Sequence, residues 1–389
     1  MHAKHLPARN APEQPPARSV VRLSVPASLT LLALVLGGCA TGVGPRAVRS
    51  ERPDYNQEIV RSGDEQLLLN LVRLRYNDTP LFLELGTVVA QRNIGAALSA
   101  SGNVTPGGSE SANFGTGITY SESPTVTYTP LSGDEFATRM LTPIPMDSVM
   151  LFNQSGWGTE RLLLVAVQRV NNVSNARTAT GPTPETKPDY EAFHELAERL
   201  NRLHLAGLTG LNWEMRESEK EPPGRNPVFW VRGAADPNSP LVEDVAVVRR
   251  MLELEPGREE FRLTAFPFKR QPGDVGMRCR SLLGVLCFLS CAVEVPPAHL
   301  EAGVATVTRD EQGRPFDWTK VIDKVLAIHS QPGRPSDASV AVKHRGWWFY
   351  IRDDDHRSKA TFSMLNLLFS LQSASAKGKS PVLTLPVGR

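Results

Sequence analysis

The sequence predicts an α+β fold, and three observations carry the prediction. Apolar residues recur at helical spacing in several places: Leu67, Leu68, Leu71 and Leu74; Phe193, Leu196, Leu200 and Leu203; Phe362, Leu365, Leu368 and Phe369. Residues 91–129 instead alternate with period two about a Gly-rich turn. Near the C-terminus, two β-favouring runs, 339–344 and 347–352, flank Arg345-Gly346, a two-residue hairpin turn. The expected architecture is an N-terminal helical region with a Gly/Ser-rich β-hairpin. A C-terminal mixed α+β region follows, ending in hairpin, helix and strand.

In chain order, an apolar run of residues 23–36 comes first, with Arg18 and Arg22 before it. It is short of the roughly 20 residues that a membrane-spanning helix needs, so it reads as a signal peptide. Leu36-Gly37-Gly38-Cys39 resembles the lipobox of bacterial lipoproteins. The resemblance implies cleavage between Gly38 and Cys39, and lipid on the Cys39 sulfur. Three acyl chains anchor such a protein stably, since two membrane signals already suffice. Ala40, where an Asp would favour inner-membrane retention in enteric bacteria, directs the expectation to the outer membrane, facing the periplasm.

The whole chain carries 43 basic and 41 acidic side chains. Loss of residues 1–38 removes Lys4, Arg9, Arg18, Arg22 and Glu13, leaving a net charge of −1. That balance gives no footprint for a nucleic-acid partner. With 41% hydrophobic residues, the mature chain can bury one large core or two modest ones.

Residues 39–62 read as the lipidated cysteine and a polar tether, and 63–175 as a helical region. A helix is expected over 64–76, ended by Asn77-Asp78-Thr79-Pro80, then an apolar β-favouring stretch over 81–90. In the Gly-rich segment, Phe114, Ile118 and Tyr120 share one parity; Asn113, Gly115, Gly117 and Thr119 share the other. Residues 124–130 read as extended. Ser132-Gly133-Asp134-Glu135 fits a capping box, starting a short helix to about 141. Pro145 starts a second, to about 154, and Glu160 a third, to about 170. Residues 176–187, rich in Thr, Pro and Gly, read as a linker before an α+β domain at 188–389. That domain holds helices over about 188–205, 241–254, 281–295 and 357–372. Strands are expected at 210–216, 228–232, 261–266 and 382–385.

Three blocks together resemble a group of uncharacterised proteobacterial envelope lipoproteins. They are residues 67–80, 124–157 and 342–388, including Trp-Trp-Phe-Tyr-Ile and Pro-Val-Leu-Thr-Leu-Pro-Val-Gly. The resemblance implies an envelope location and carries no activity.

Candidate chemistry is sparse. His194-Glu195-Leu196-Ala197-Glu198 has the first half of a metalloprotease helix motif, but Glu198 stands where a second His belongs. Asp353-Asp354-Asp355-His356 suits cation binding or acid–base work, and equally suits a helix cap. Ser358-Lys359 lacks the three-residue offset of serine–lysine hydrolases. Trp347, Trp348, Phe349 and Tyr350 alternate faces, so one pair packs the core. The other pair, Trp348 and Tyr350, is either covered or a binding surface. Cys279, Cys287 and Cys291 read as buried thiols, with a bridge from Cys279 to one of the others left open. No cofactor and no metal site is expected.

The expected function is a non-enzymatic, outer-membrane-anchored scaffold or accessory component of an envelope or secretion assembly, working with a protein partner or by self-association. Two alternatives stand beside it: an envelope hydrolase at the Asp353-to-His356 corner, and an oligomeric pore component donating the 91–129 hairpin.

Overall fold

The computed structural model describes residues 43–103, 111–216, 224–265 and 273–376. Cys39, Gly38 and the expected strand at 382–385 lie outside them. Two units divide the chain, Met1–Arg61 and Ser62–Arg389.

Helix α1 (Val43–Arg75) covers the stretch expected to be a tether as well as the expected helix. Residues 46–61 carry no apolar stripe; Ala47, Arg49, Glu51, Gln57 and Glu58 favour the helix, and Pro53 in its interior opposes it. Within the second unit, Leu67, Leu68, Leu71 and Val72 are buried. Strands β1 (Leu83–Asn103) and β2 (Ser111–Pro130) then form an antiparallel pair that joins no other sheet among the described residues.

Helix α2 (Gly133–Phe136) runs straight into a π turn over Ala137–Leu141. The capping box expected here does not form. Ser132 makes no side-chain cap, and Glu135 is engaged by Arg139 instead. Helix α3 (Met146–Gln154) starts after Pro145 as expected. Helix α4 (Thr159–Ala166) stops earlier than its apolar run suggested, because residues 167–170 become strand β3 (Val167–Val170). Those residues pair with a later strand, Val275–Cys279, with Val167 opposite Cys279 and Val170 opposite Met277. A tertiary partner has overridden the local helical pattern. Strand β4 (Val173–Ser174) turns back on β3.

Residues 176–187 are not a spacer between separately packed parts. They lie inside the second unit, where Ala176 and Ala179 are 0% exposed. A 3₁₀ turn at Arg177–Thr180 presses so closely on Gly284 that a Cβ there would meet Thr180 Cγ2 at 2.5 Å. Helix α5 (Glu191–Leu205) buries Phe193, Leu196, Ala197, Leu200 and Leu203, its predicted stripe. Strands β5 (Thr209–Arg216) and β6 (Gly224–Val231), helix α6 (Leu241–Met251), and strands β7 (Glu260–Thr264) and β8 (Val275–Cys279) complete a six-stranded sheet. Its order is β4-β3-β8-β7-β6-β5, antiparallel except for the β7–β8 pair. One sheet therefore draws strands from both sides of the expected linker.

Helix α7 (Leu282–Ser290) is apolar on nearly all sides and almost wholly buried, as an all-round hydrophobic helix must be. Its N-cap Ser281 accepts from Gly284 N at 3.1 Å. Short helices α8 (Pro297–Glu301) and α9 (Thr319–Ile322) lead to a three-stranded antiparallel sheet of order β10-β11-β9. Its strands are β9 (His329–Gln331), β10 (Ala338–His344) and β11 (Trp347–Arg352). Arg345 (φ 47°) and Gly346 (φ 86°) make the predicted turn with both central residues left-handed. Helix α10 (His356–Ala376) follows, burying Phe362, Met364, Leu365 and Leu368.

Candidate functional site

The element most unlike an ordinary core component is the β1–β2 pair. Its strands are 21 and 20 residues long, where globular strands are usually about 5–6. The backbone register is continuous from Val88↔Val126 to Asn103↔Ser111. It sets Ile94 opposite Tyr120, Ala96 opposite Ile118, Leu98 opposite Thr116 and Ala100 opposite Phe114. The intervening pairs are Gly95↔Thr119, Ala97↔Gly117, Ser99↔Gly115 and Ser101↔Asn113. Positions of like parity share a sheet face. One face of the ribbon is thus assigned the larger apolar residues from both strands, and the other the small and polar ones. Neither 93–103 nor 111–121 contains a charged residue. The first charges met on moving back towards the rest of the fold are Arg92 and Glu122, which the register places opposite each other.

The ribbon is rooted by two side chains and one backbone hydrogen bond. Asn70 of α1, 1% exposed, accepts from Leu81 N at 3.0 Å and donates to Leu81 O at 2.8 Å. One amide side chain thus supplies what a neighbouring strand would supply. Leu131 N donates to Phe82 O at 2.9 Å, closing the base of the pair. Arg139 projects from the π turn, a helix irregularity often found at functional positions. Its guanidinium is 2% exposed and is ion-paired with Glu84 of β1 and with Glu135. A register shift between Leu85 and Val88 bends the strand just beyond that contact. Between α1, the root of β1, the π turn and α10 lies a cavity of about 170 Å³, lined by Leu67, Phe82, Met140 and Phe369 with Arg139 and Glu84.

The other predicted positions are occupied structurally. Asp355 caps α10: its Oδ1 accepts from Arg357 N at 3.1 Å and Ser358 N at 3.0 Å. Ser358 Oγ donates to Asp355 Oδ2 at 2.5 Å and accepts from Ala327 N at 2.8 Å. Burial pushes the Asp355 carboxyl up, but the hydrogen bonds from Ser358 and Arg357 outweigh it and hold it below its ordinary value. Asp354 pairs with Arg352, and Asp353 with Lys359, so Lys359 is turned away from Ser358. The corner therefore works as a helix cap flanked by two ion pairs, and Ser358 and Lys359 are engaged with different partners.

On α5, Glu195 binds Arg199, and Glu198 binds Arg202 and Lys324. Burial, and then the Lys324 charge, hold the His194 imidazole below its ordinary pKa. Among the described residues no group of three or more His, Cys, Asp or Glu side chains could hold a metal ion. The three cysteines among the described residues are free and buried, and burial pushes the Cys279, Cys287 and Cys291 thiols up to about 12, 11 and 12.

Phe349 is 0% exposed, so the predicted alternation on β11 holds. Trp348 and Tyr350 are half-buried, under neighbours from the β9 side. Arg334 lies over the Trp348 ring at 5.4 Å, His329 packs on Tyr350 at 5.6 Å, and the Tyr350 hydroxyl donates to Gln331 Oε1 at 3.2 Å. Both rings keep part of their surface open.

Sequence reasoning missed Asn70, Arg139 and a polar clasp just before β1. There Tyr76 shares a 2.7 Å hydrogen bond with His299, while Asp78 accepts from Arg345 and contacts His344. The only signal was Tyr76-Asn77-Asp78 after an apolar helix, and its partners lie more than 220 residues away. Comparison with family models, with curated proteins and with solved structures finds no match.

Proposed function

We propose that this chain is a lipid-anchored protein of the bacterial outer membrane, facing the periplasm, whose β1–β2 ribbon inserts into a membrane. One observation carries the reading: two uncharged strand segments, 93–103 and 111–121, lie in register with apolar parity matched to apolar parity. A membrane-crossing β-strand needs about 9–11 residues, apolar on its lipid face and small or polar on the other. Each segment has that length, and the face shared by Ile94 and Tyr120 is apolar except at Gly102 and Thr116. The strand residues between the uncharged segments and the ribbon's base, 83–92 and 122–130, give the segments reach beyond their root. The lipid expected on Cys39 would keep the ribbon at the membrane surface. The helix cap at Asp355 weighs against the hydrolase alternative.

The test uses the full lipidated chain in vesicles of bacterial phospholipids. Single cysteines at Ala96, Leu98, Phe114 and Ile118, and in a second set at Ala97, Ser99, Gly115 and Gly117, carry an environment-sensitive dye. The first set is expected to emit as if in hydrocarbon and the second as if in water. Aqueous emission from every position would overturn the proposal and return the ribbon to a soluble partner-binding role.

A further inference from the structure

An inserted ribbon of two strands is incomplete. Each strand uses one edge to pair with the other, and its outer edge pairs with no other described strand. In hydrocarbon those edge amides and carbonyls have no water to bond, and this is why membrane-spanning sheets close on themselves. We infer that the partner on both edges is a second copy of this chain, so that ribbons associate head to tail into a closed barrel with a polar lumen. This inference rests on the membrane-inserted reading above.

Several features favour a copy of this chain over an unrelated strand. β1 and β2 run in opposite directions, so the β2 edge of one copy meets the β1 edge of the next antiparallel, and the alternation continues unbroken around a ring. The uncharged segments are equal in length, 11 residues in each strand, so each copy offers its neighbour a segment of the same length. Their parities match as well. Ile94, Ala96, Leu98, Phe114, Ile118 and Tyr120, with Thr116 among them, continue one mostly apolar face from copy to copy, while Gly95, Ser99, Asn113, Gly115, Gly117 and Thr119 continue the lumen face. Such a contact is heterologous, and it closes when its rotation divides a full turn. Barrels of this class have about 8 strands or more, so at two strands per copy the ring needs roughly four copies at least.

The experiment mixes two singly substituted full-length proteins, Ser99→Cys with one of Asn113→Cys, Gly115→Cys, Gly117→Cys or Thr119→Cys, to walk across the unknown stagger between copies. The mixture is oxidised in detergent and, in parallel, added to planar bilayers. Within one ribbon Ser99 pairs with Gly115, so placing the two cysteines in separate chains excludes an internal bridge. The native thiols do not compete, because Cys279, Cys287 and Cys291 are buried and held protonated. The expected result is a crosslinked product in the mixture at one or two positions of the walk and in neither variant alone, a multimeric mass, and stepwise bilayer conductance. Three results would overturn the inference: a monomeric mass with no crosslink anywhere in the walk, crosslinks of Ser99→Cys to itself, or capture of an unrelated envelope protein on both edges. If the dye alternation persists in any of those cases, insertion stands and only the ring fails. If the alternation is lost, the insertion reading falls with it.

Discussion

Arg280 shows what a single residue does here. It is 1% exposed, and its guanidinium donates to the carbonyls of Leu164, Val165, Val167 and Asn175 at 2.6–3.0 Å while lying 4.0 Å from the Phe288 ring centroid. Two of those carbonyls belong to the last turn of α4, where the helix leaves acceptors unsatisfied and carries partial negative charge. Burial lowers the Arg280 pKa to about 9, so the group is still charged at neutral pH. Arg280→Ala strands these acceptors and leaves a cavity; urea titration should show a loss of roughly 3 kcal/mol or more. Arg280→Lys, without the planar fork, should recover only part of it.

Asp244 is the matching buried carboxylate, 5% exposed. It takes a two-pronged hydrogen bond from Arg202 and a third bond from Arg199. The Arg202 hydrogen bond above all, and Arg199 after it, hold its pKa below the ordinary carboxylate value. A carboxyl depressed in the folded state stabilises the fold above its unfolded pKa, about 3.9, and that contribution is lost as pH falls through the lower folded value. Asp244→Asn is therefore expected to destabilise the protein by about 2–4 kcal/mol at neutral pH. It should also flatten the acid limb of a melting-temperature profile, with no change in slope above pH 6. An acid limb that keeps its wild-type slope would remove Asp244 from that account.

At the scale of elements, the ribbon is coupled to the rest of the fold at its base. Asn70 and Arg139 hold Leu81 and Glu84, and beyond them β1 and β2 pair only with each other among the described strands. Excising residues 88–126 and closing the chain with a two-residue turn should leave helix content intact and shift thermal unfolding by only a few degrees. Loss of cooperative unfolding would mean that the ribbon belongs to the core. The same scale shows where local pattern failed. Residues 160–170 form one apolar run, but only 159–166 stay helical, because Val167 and Val170 complete a ladder with Cys279 and Met277. Hydrophobic periodicity cannot register a partner more than 100 residues away. The α5 stripe, the Arg345-Gly346 turn and the Asp355 cap have local determinants, and there the sequence and the structure agree; the Ser132 capping box, equally local, gave way to the Arg139–Glu135 pair.

At the scale of the whole molecule, residues 62–389 make one unit, not two domains. The segment 176–187 has a linker's composition, but Ala176, Ala179 and Thr180 are wedged beside α7, and the six-stranded sheet takes strands from both sides of it. Composition reports what a segment would do in solvent, and burial is set by what folds over it. The candidate site was half legible for the same reason. The Gly-rich turn and the parity of Phe114, Ile118 and Tyr120 were plain in the second strand, whereas the first, with its alanines and serines, was ambiguous taken alone. The sequence by itself determined the α+β class, the helical stripes, the Arg345-Gly346 turn and the two strand runs, because each is encoded by residues within a few positions of one another. Tertiary structure decided the register that sets Ile94, Ala96 and Leu98 opposite Tyr120, Ile118 and Thr116, the root built from Asn70 and Arg139, and the union of the two halves in one sheet. Each of those is a pairing between residues distant in the chain, and its free energy exists only once both partners have been brought together.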